Sequence, residues 1–280
     1  MPYWTTLISV DDLATHIDQC LVIDCRHVLT DPDAGPQAYA AGHIPGAHFL
    51  HQDHDLASHG DGSTGRHPLP DPATLANKLQ ALGLTPDKQL VAYDGQGGAL
   101  AGRMWWLARW LGHPHAAVLD GGLPAWQAAG FPTSTETPKA SAGAFSSTGG
   151  KAHSVTVDEL VTNLLSKQYQ VIDARAAERY NGETEPMDPV AGHIPGALNR
   201  PMQTNLRPDG RFKPAEIIRR DFEALLGDRD PSSVVHSCGS GVTACHNLLA
   251  MEHAGLTGSR LYPGSWSEWC ADPNRPVGKA

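Results

Sequence analysis

The sequence lacks long apolar runs. No stretch approaches the roughly 20 residues needed to cross a bilayer, and the opening MPYWTTLISVDD has neither the basic start nor the apolar core of a secretory signal. Positive charge is also scarce. The chain has 21 Lys and Arg against 30 Asp and Glu, a formal net charge of −9. That balance excludes nucleic acid and membrane surfaces as partners drawn by the overall field. An anionic substrate would need a local cationic site that works against it. There is no disulfide framework either. Five cysteines, Cys20, Cys25, Cys238, Cys245 and Cys270, cannot all pair, and their spacing matches no scaffold. Cys238, Cys245 and His246 do not fall into the clustered pairs of a zinc site, so no metal is expected. Together these absences point to a protein of the reducing cytoplasm.

What the chain does have is repetition. Its 280 residues suggest about two domains, and segments recur in the same order. LVIDCR (Leu21 to Arg26) returns as QVIDAR (Gln170 to Arg175), and AGHIPGAH (Ala41 to His48) as AGHIPGAL (Ala191 to Leu198). Asp24 and Asp173 are 149 residues apart, His43 and His193 150. SVDDLATHI from Ser9 matches TVDELVTNL from Thr156, LVAYDGQGG from Leu90 matches VVHSCGSG from Val234, and LDGGLPAW from Leu119 matches YPGSWSEW from Tyr262. A near-constant offset in constant order means two related domains. They are expected at 1–132 and 151–280, joined through 133–150, a Ser/Thr/Gly/Ala-rich stretch with no apolar period that reads as a linker.

Each half alternates helix and strand. Thr156 and Glu159 form a capping-box pair, after which Val157, Leu160, Val161, Leu164 and Leu165 are expected on one apolar helical face. QVIDAR, SVVHS and SRLYPG read as strands; PAEIIRRDFEALLG, GVTACHNLLAMEHAG (closed by Gly255) and WSEWCAD read as helices. Alternation of this kind predicts a mostly parallel sheet covered on both faces, with ligands beyond the carboxyl ends of its strands.

Cys238 stands at such a strand end, in SCGSGVTACHN. A chain that leaves a strand through CGSGVTA and enters a helix can turn several backbone N–H groups inward, because Gly239 and Gly241 tolerate the dihedral angles required. The helix N-terminus adds partial positive charge. Both favour a thiolate and any anion bonded to it. Cys245 lies about two turns further along the helix and reads as packing. A cysteine phosphatase would need an arginine six residues after its nucleophile to grip the phosphate. Ala244 stands there, which turns the loop away from phosphate.

Two tandem halves, HIPGA in each, the CGSGVTAC loop and the terminal GSWSEW together resemble the two-domain rhodanese family of sulfurtransferases over essentially the whole chain. The resemblance implies an α/β fold of two tandem rhodanese-like domains, each a mostly parallel five-stranded sheet flanked by helices. It also implies a first domain without the nucleophile, and Asp94 stands at the position matching Cys238. It further implies a double displacement with no metal or organic cofactor. A small anionic donor gives a sulfur to Cys238, and cyanide, a thiol or a thioredoxin-like protein removes it. Gly239, Ser240 and Gly241 match the mercaptopyruvate branch rather than the thiosulfate branch, whose loop is cationic. In that branch Ser240 is expected to handle protons with His67 and Asp53, while Arg179 holds the donor's carboxylate or sulfonate and the loop residues Gly239, Gly241, Val242 and Thr243 cradle it. One departure stands out. Where that branch usually carries a second arginine, this chain has Met187, leaving Arg66 or Arg103 to replace it. Thiosulfate thus remains the alternative donor, and a non-catalytic sulfur carrier the alternative class.

Three other features are read as structural. His48, His51, His54 and His59 crowd one polar stretch without regular ligand spacing, and that stretch is expected to line a cleft between the domains. His43 and His193 occur in both halves and are expected to brace a turn. Trp105, Trp106 and Trp110 are expected to pack in a core or at an interface between domains.

Overall fold

A computed structural model describes residues 3–150 and 152–279. Residues 1, 151 and 280, which bound the expected domains, lie outside the described residues. The chain forms two compact units. One consists of Met1–Ser58, Pro70–Lys151 and Arg207–Phe212; the other of His59–Leu69, Ala152–Leu206 and Lys213–Ala280.

In the first unit the strands are β1 (Leu7–Ile8), β2 (Cys20–Asp24), β3 (His48–Phe49), β4 (Gln89–Tyr93) and β5 (Ala116–Leu119), in spatial order β1-β5-β4-β2-β3. In the second unit β6 (His153–Ser154), β7 (Gln170–Asp173), β8 (Leu198–Asn199), β9 (Val234–Ser237) and β10 (Arg260–Leu261) run in the order β6-β10-β9-β7-β8. This is the same order, one copy later, and every strand pairing in both sheets is parallel. The longer strands are buried end to end, as CLVID, QLVAY and AAVL are in the first sheet. That is the pattern of a sheet covered on both faces by helices.

The second core gathers Val155, Leu160, Val171, Val235, Tyr262, Trp266 and Trp269 on one side of its sheet. Trp266 and Trp269 are fully buried there, and truncating either to alanine would cost about 3–5 kcal/mol. The capping box is present, since Thr156 Oγ1 accepts from the Glu159 amide and Glu159 Oε2 accepts from the Thr156 amide. The apolar face that follows is narrower than its sequence suggests. Leu160 is buried, with Val157 and Leu164 packed against the core, but Val161 is 41% and Leu165 91% exposed. At about 100° per residue these two rotate past the edge of a stripe one helix wide.

Residues 133–150 form no helix or helix-length strand, yet they are tied down. Gly143 N donates to Gln80 O (2.7 Å), Ala144 N to Leu84 O (3.1 Å) and Thr148 N to Leu111 O (3.1 Å). Phe145 is buried, edge-on to His113. The stretch thus belongs to the first unit, and one aromatic anchor fixes it where no apolar period exists. Trp105 and Trp106 are fully buried core residues. The HIPGA histidines repeat one arrangement. His43 Nδ1 contacts Tyr39 O at 2.8 Å and His193 Nδ1 contacts Tyr180 O at 2.8 Å. Each ring is stacked on the tyrosine it contacts.

Candidate active site

The order of the second sheet puts β9 at its centre, so Cys238 leaves the carboxyl end of the central strand, where open α/β sheets bind ligands. The helix Ala244–His253 follows. The Cys238 side chain is buried, and its Sγ accepts from the Gly241 amide at 3.1 Å. Gly241 has φ +76°, and a Cβ on it would lie 2.2 Å from Pro263 O, so only glycine fits. Among the described residues no hydrogen bond engages the amides of Ser240, Val242, Thr243 or Ala244. These donors, with the helix terminus behind them, can receive an anion growing on the sulfur.

The loop is braced from the C-terminal GSWSEW. Cys238 N donates to Ser265 Oγ (3.1 Å), which donates to Tyr262 O (2.9 Å). Trp266 N and Ser267 N donate to the carbonyls of Cys238 and Gly239 at 3.0 and 2.9 Å. Ser265 has φ +52°, a backbone conformation that costs a residue other than glycine energy and is held here by its side-chain bonds. Cys245 is fully buried, its Sγ against Gly241 O at 3.4 Å.

Two of the expected catalytic partners meet here. His67 and Ser240 are both buried, with Nδ1 and Oγ 2.7 Å apart. The contact joins residues 173 positions apart in sequence, and it exists because His59–Leu69, from the N-terminal half of the chain, folds into the second unit. Gly65 (φ +83°) permits this approach, because a Cβ there would lie 2.7 Å from Gly264 O. Arg66 N then donates to Ser267 Oγ (3.1 Å).

Asp53 belongs to the first unit. Its Oδ2 lies 3.6 Å from His27 Nε2 and its amide donates to His51 Nδ1 at 3.1 Å. Burial holds His27 below its usual range, with Asp53 acting the other way. His27, His51 and Asp53 bring one ligand-type atom each within 4.8 Å of the others, a grouping that spacing along the histidine-rich stretch does not display. His51 already uses both nitrogens, however, with Nε2 3.0 Å from Pro32 O.

Arg179, on the short helix Ala177–Asn181, is gripped by Glu185 (Nη2–Oε1 2.6 Å, Nε–Oε2 3.2 Å). Its guanidinium nitrogens sit 3.6 and 3.7 Å from where a Cβ on Gly239 would be. Burial opposes ionisation of Glu185, yet the Arg179 hydrogen bond, the Met187 amide and the charge of Arg175 hold its carboxyl below the usual range. Asp188 behaves differently: burial pushes it up despite Arg66 and Arg179. Sequence reasoning missed Asp188, Glu185, Ser265 and Arg175. A signal existed for Arg175, whose grip on Asp173 repeats that of Arg26 on Asp24, as V-I-D-x-R occurs twice. Arg103, offered as a substitute cation, is fully buried in the first unit with its guanidinium against Leu56 O at 3.4 Å.

Comparison with known proteins meets this geometry at both loops. The family model for the rhodanese-like domain matches residues 9–129 and again 156–272. The chain belongs to the rhodanese family. A Pseudomonas aeruginosa protein named "Probable 3-mercaptopyruvate sulfurtransferase" is 48% identical over 275 residues, 97% of each chain. An Arabidopsis thaliana protein named "Thiosulfate/3-mercaptopyruvate sulfurtransferase 2" is 34% identical, covering 97% of this chain and 86% of its own. Among solved structures, 3-mercaptopyruvate sulfurtransferase from Leishmania major matches with a TM-score of 0.84 and 33% identity, over 97% of this chain and 75% of that one. In this rhodanese pair the second domain carries the cysteine and the first carries Asp94 in its place. No helix among the described residues is long and apolar enough to cross a membrane.

Proposed function

We propose that the protein is a sulfurtransferase that moves a sulfane sulfur from 3-mercaptopyruvate to a thiol, a thioredoxin-like protein or cyanide through a persulfide on Cys238. The observation that carries the choice of donor is the Ser240–His67 pair, 2.7 Å apart in the nucleophile's own loop. The Cys238 thiolate attacks the donor sulfur; the S–S bond forms as the carbon–sulfur bond breaks, and the electron pair leaves on the enolate of pyruvate. Cysteine sulfur is oxidised and the donor carbon reduced. The donor thiol must lose a proton and the enolate must gain one, so a hydroxyl–imidazole pair that exchanges a proton between Oγ and Nδ1 can serve both needs. The acceptor then attacks the outer sulfur and releases the Cys238 thiolate. Loop amides stabilise the persulfide anion between the two steps. Arg179 anchors the carboxylate, and the family resemblance alone supports Asp53 as the residue that orients His67.

Thiosulfate is the second reading, favoured by the relative whose name carries both donors. Its leaving group, sulfite, needs no proton, so the relay would have no task. The test compares kcat/KM for the two donors with one acceptor. A strong preference for thiosulfate would sink the mercaptopyruvate reading. Intact mass after donor treatment separates both from a plain docking module, which would gain no sulfur. The same reading puts the enzyme in the cytoplasm, where thiol acceptors are kept reduced and where cysteines outside disulfides, as all five are here, persist.

A further inference from the structure

We propose that Ser267 is a positioning residue for proton handling: it ties the segment that carries His67 to the loop that carries Ser240, and so sets the distance between them. The role rests on the reading of Ser240 and His67 as the pair that moves a proton for the donor. Ser267 is buried on the short helix Ser265–Trp269. Its amide donates to Gly239 O at 2.9 Å, one residue before Ser240. Its hydroxyl accepts from Arg66 N at 3.1 Å, one residue before His67, and donates to Gly264 O at 3.1 Å. One residue thus holds the chain neighbours of both partners in the 2.7 Å contact between His67 Nδ1 and Ser240 Oγ. The fit is close. A Cβ on Gly65 would lie 3.1 Å from Ser267 Oγ as well as 2.7 Å from Gly264 O, so a side chain there would wedge the segment away.

The first unit shows the same helix without this task. LDGGLPAW and YPGSWSEW place Pro124 where Ser267 stands, and the frame around both is alike: Leu123 N donates to Asp94 O at 2.9 Å, as Trp266 N does to Cys238 O at 3.0 Å. Proline has neither an N–H nor a hydroxyl, so neither tie can form there. The incoming segment changes in step. Gly65-Arg66-His67 returns as Gly210-Arg211-Phe212, with φ +83° and +79° at the two glycines. The first unit takes up the copy that ends in phenylalanine and holds it through Phe212 N, which donates to Asp120 Oδ1 at 2.8 Å. The serine stands where an imidazole has to meet a hydroxyl, and proline stands where none does. Proton transfer needs its partners within hydrogen-bond reach, and a small misplacement of such a pair costs rate steeply.

Ser267→Ala removes the hydroxyl and keeps the amide. The Arg66–Asp188 pair still holds the segment, so the variant loosens a spacing rather than undoing the fold. It is expected to lower kcat with 3-mercaptopyruvate about tenfold and to change KM by less than about threefold. Ser267→Thr, which keeps a hydroxyl, is expected to recover most of the loss. On a His67→Ala background Ser267→Ala is expected to cost less than about twofold more, because the spacing then has nothing to set. Two readouts need no donor. In protein with isotopically labelled histidine, the His67 ring signals, identified by their loss in His67→Ala, are expected to shift in Ser267→Ala as the bond to Ser240 is released. Alkylation of Cys238 by iodoacetamide is expected to stay within about twofold of wild type, because Ser265 and not Ser267 accepts from the Cys238 amide. His67 signals that match wild type overturn the proposal, as does the full tenfold loss repeated on the His67→Ala background. A Cys238 alkylation rate that falls along with kcat overturns it too, since Ser267 would then shape the nucleophile's loop as a whole. If thiosulfate proves the better donor while the His67 signals still move, the tie stands and only the mercaptopyruvate reading falls.

Discussion

Two loops leave the carboxyl ends of equivalent central strands, and in each a different side chain accepts from the loop's own amides. After β4 the Asp94 carboxylate accepts four amides, those of Gln96 (2.7 Å), Gly98 (3.0 Å), Leu100 (2.7 Å) and Ala101 (2.9 Å). After β9 the Cys238 sulfur accepts one, from Gly241. The residues that follow are otherwise alike: Gly97 and Gly241 both have positive φ, +66° and +76°, and each loop opens a helix of 10 residues. The nest was therefore built twice. In the first unit a permanent carboxylate fills it and turns it into structure. In the second a smaller sulfur leaves amides open for the group that the proposed transfer would place on it. One side chain decides between stability and chemistry.

The largest expected effect follows from that difference. Cys238→Ser should lower turnover by at least about 10³-fold and gain no sulfur on treatment with donor, while the fold survives. The sharper form moves the thiol: a protein carrying Asp94→Cys with Cys238→Ser should also be inactive, since Gln96 stands where Ser240 does. Sulfur transfer by that double variant would break the comparison, because a nest and a thiol would then suffice. His67→Ala comes next. It should reduce kcat with 3-mercaptopyruvate about 10²- to 10³-fold, the usual worth of general acid–base help, but reduce thiosulfate turnover less than tenfold. Equal losses on both donors would mean that His67 positions the loop rather than moves a proton.

The first nest predicts a stability effect instead. Asp94→Ala strands three buried amide donors and a fourth, that of Gln96, which water can reach, and at about 1–3 kcal/mol for each buried group left unsatisfied a loss of about 3 kcal/mol is expected even after water enters. Urea unfolding measures it, and the folded variant at 25 °C should retain most of its sulfur transfer. A variant of wild-type stability would show that the amides find other partners, and that Asp94 is not what the first nest is for.

Much of this is legible in the sequence itself. The repeat, the alternating elements and the loop at a strand end are local patterns, and backbone physics translates them directly. Cys238 could be singled out because glycine placement and strand-to-helix passage are written within one short segment. Arg66 and Asp188 were out of reach as a pair: they are 122 residues apart and meet only because His59–Leu69 joins the second unit, which no periodicity encodes. His67 was reachable through its family motif, but its distance to Ser240 was not. Val161 and Leu165 misled for the opposite reason. Apolar residues at helical spacing announce a face, but how wide a face the core accepts is set by the partner sheet.

The smallest effect separates the charge clusters beneath the two nests. Arg26 is held by Asp24; Arg175 is held by Asp173 and also by Glu185, which binds Arg179 as well. Burial works against a charged Glu185, but the Arg179 hydrogen bond, the Met187 amide and the Arg175 charge prevail and keep its carboxyl below the usual range. A carboxyl depressed in the folded state binds fewer protons there than in the unfolded chain. Its stabilisation is therefore complete above the ordinary glutamate value of about 4.3, and it is lost as the pH falls through the lower folded value. Glu185→Gln should cost about 1–2 kcal/mol at pH 7. In urea titrations from pH 7 to pH 3 the gap to wild type should hold steady at first and then close below the ordinary glutamate value. A gap that stays constant to pH 3 would mean that shape and hydrogen bonding, not charge, are what Glu185 brings to the second unit, and the two clusters would then differ in geometry alone.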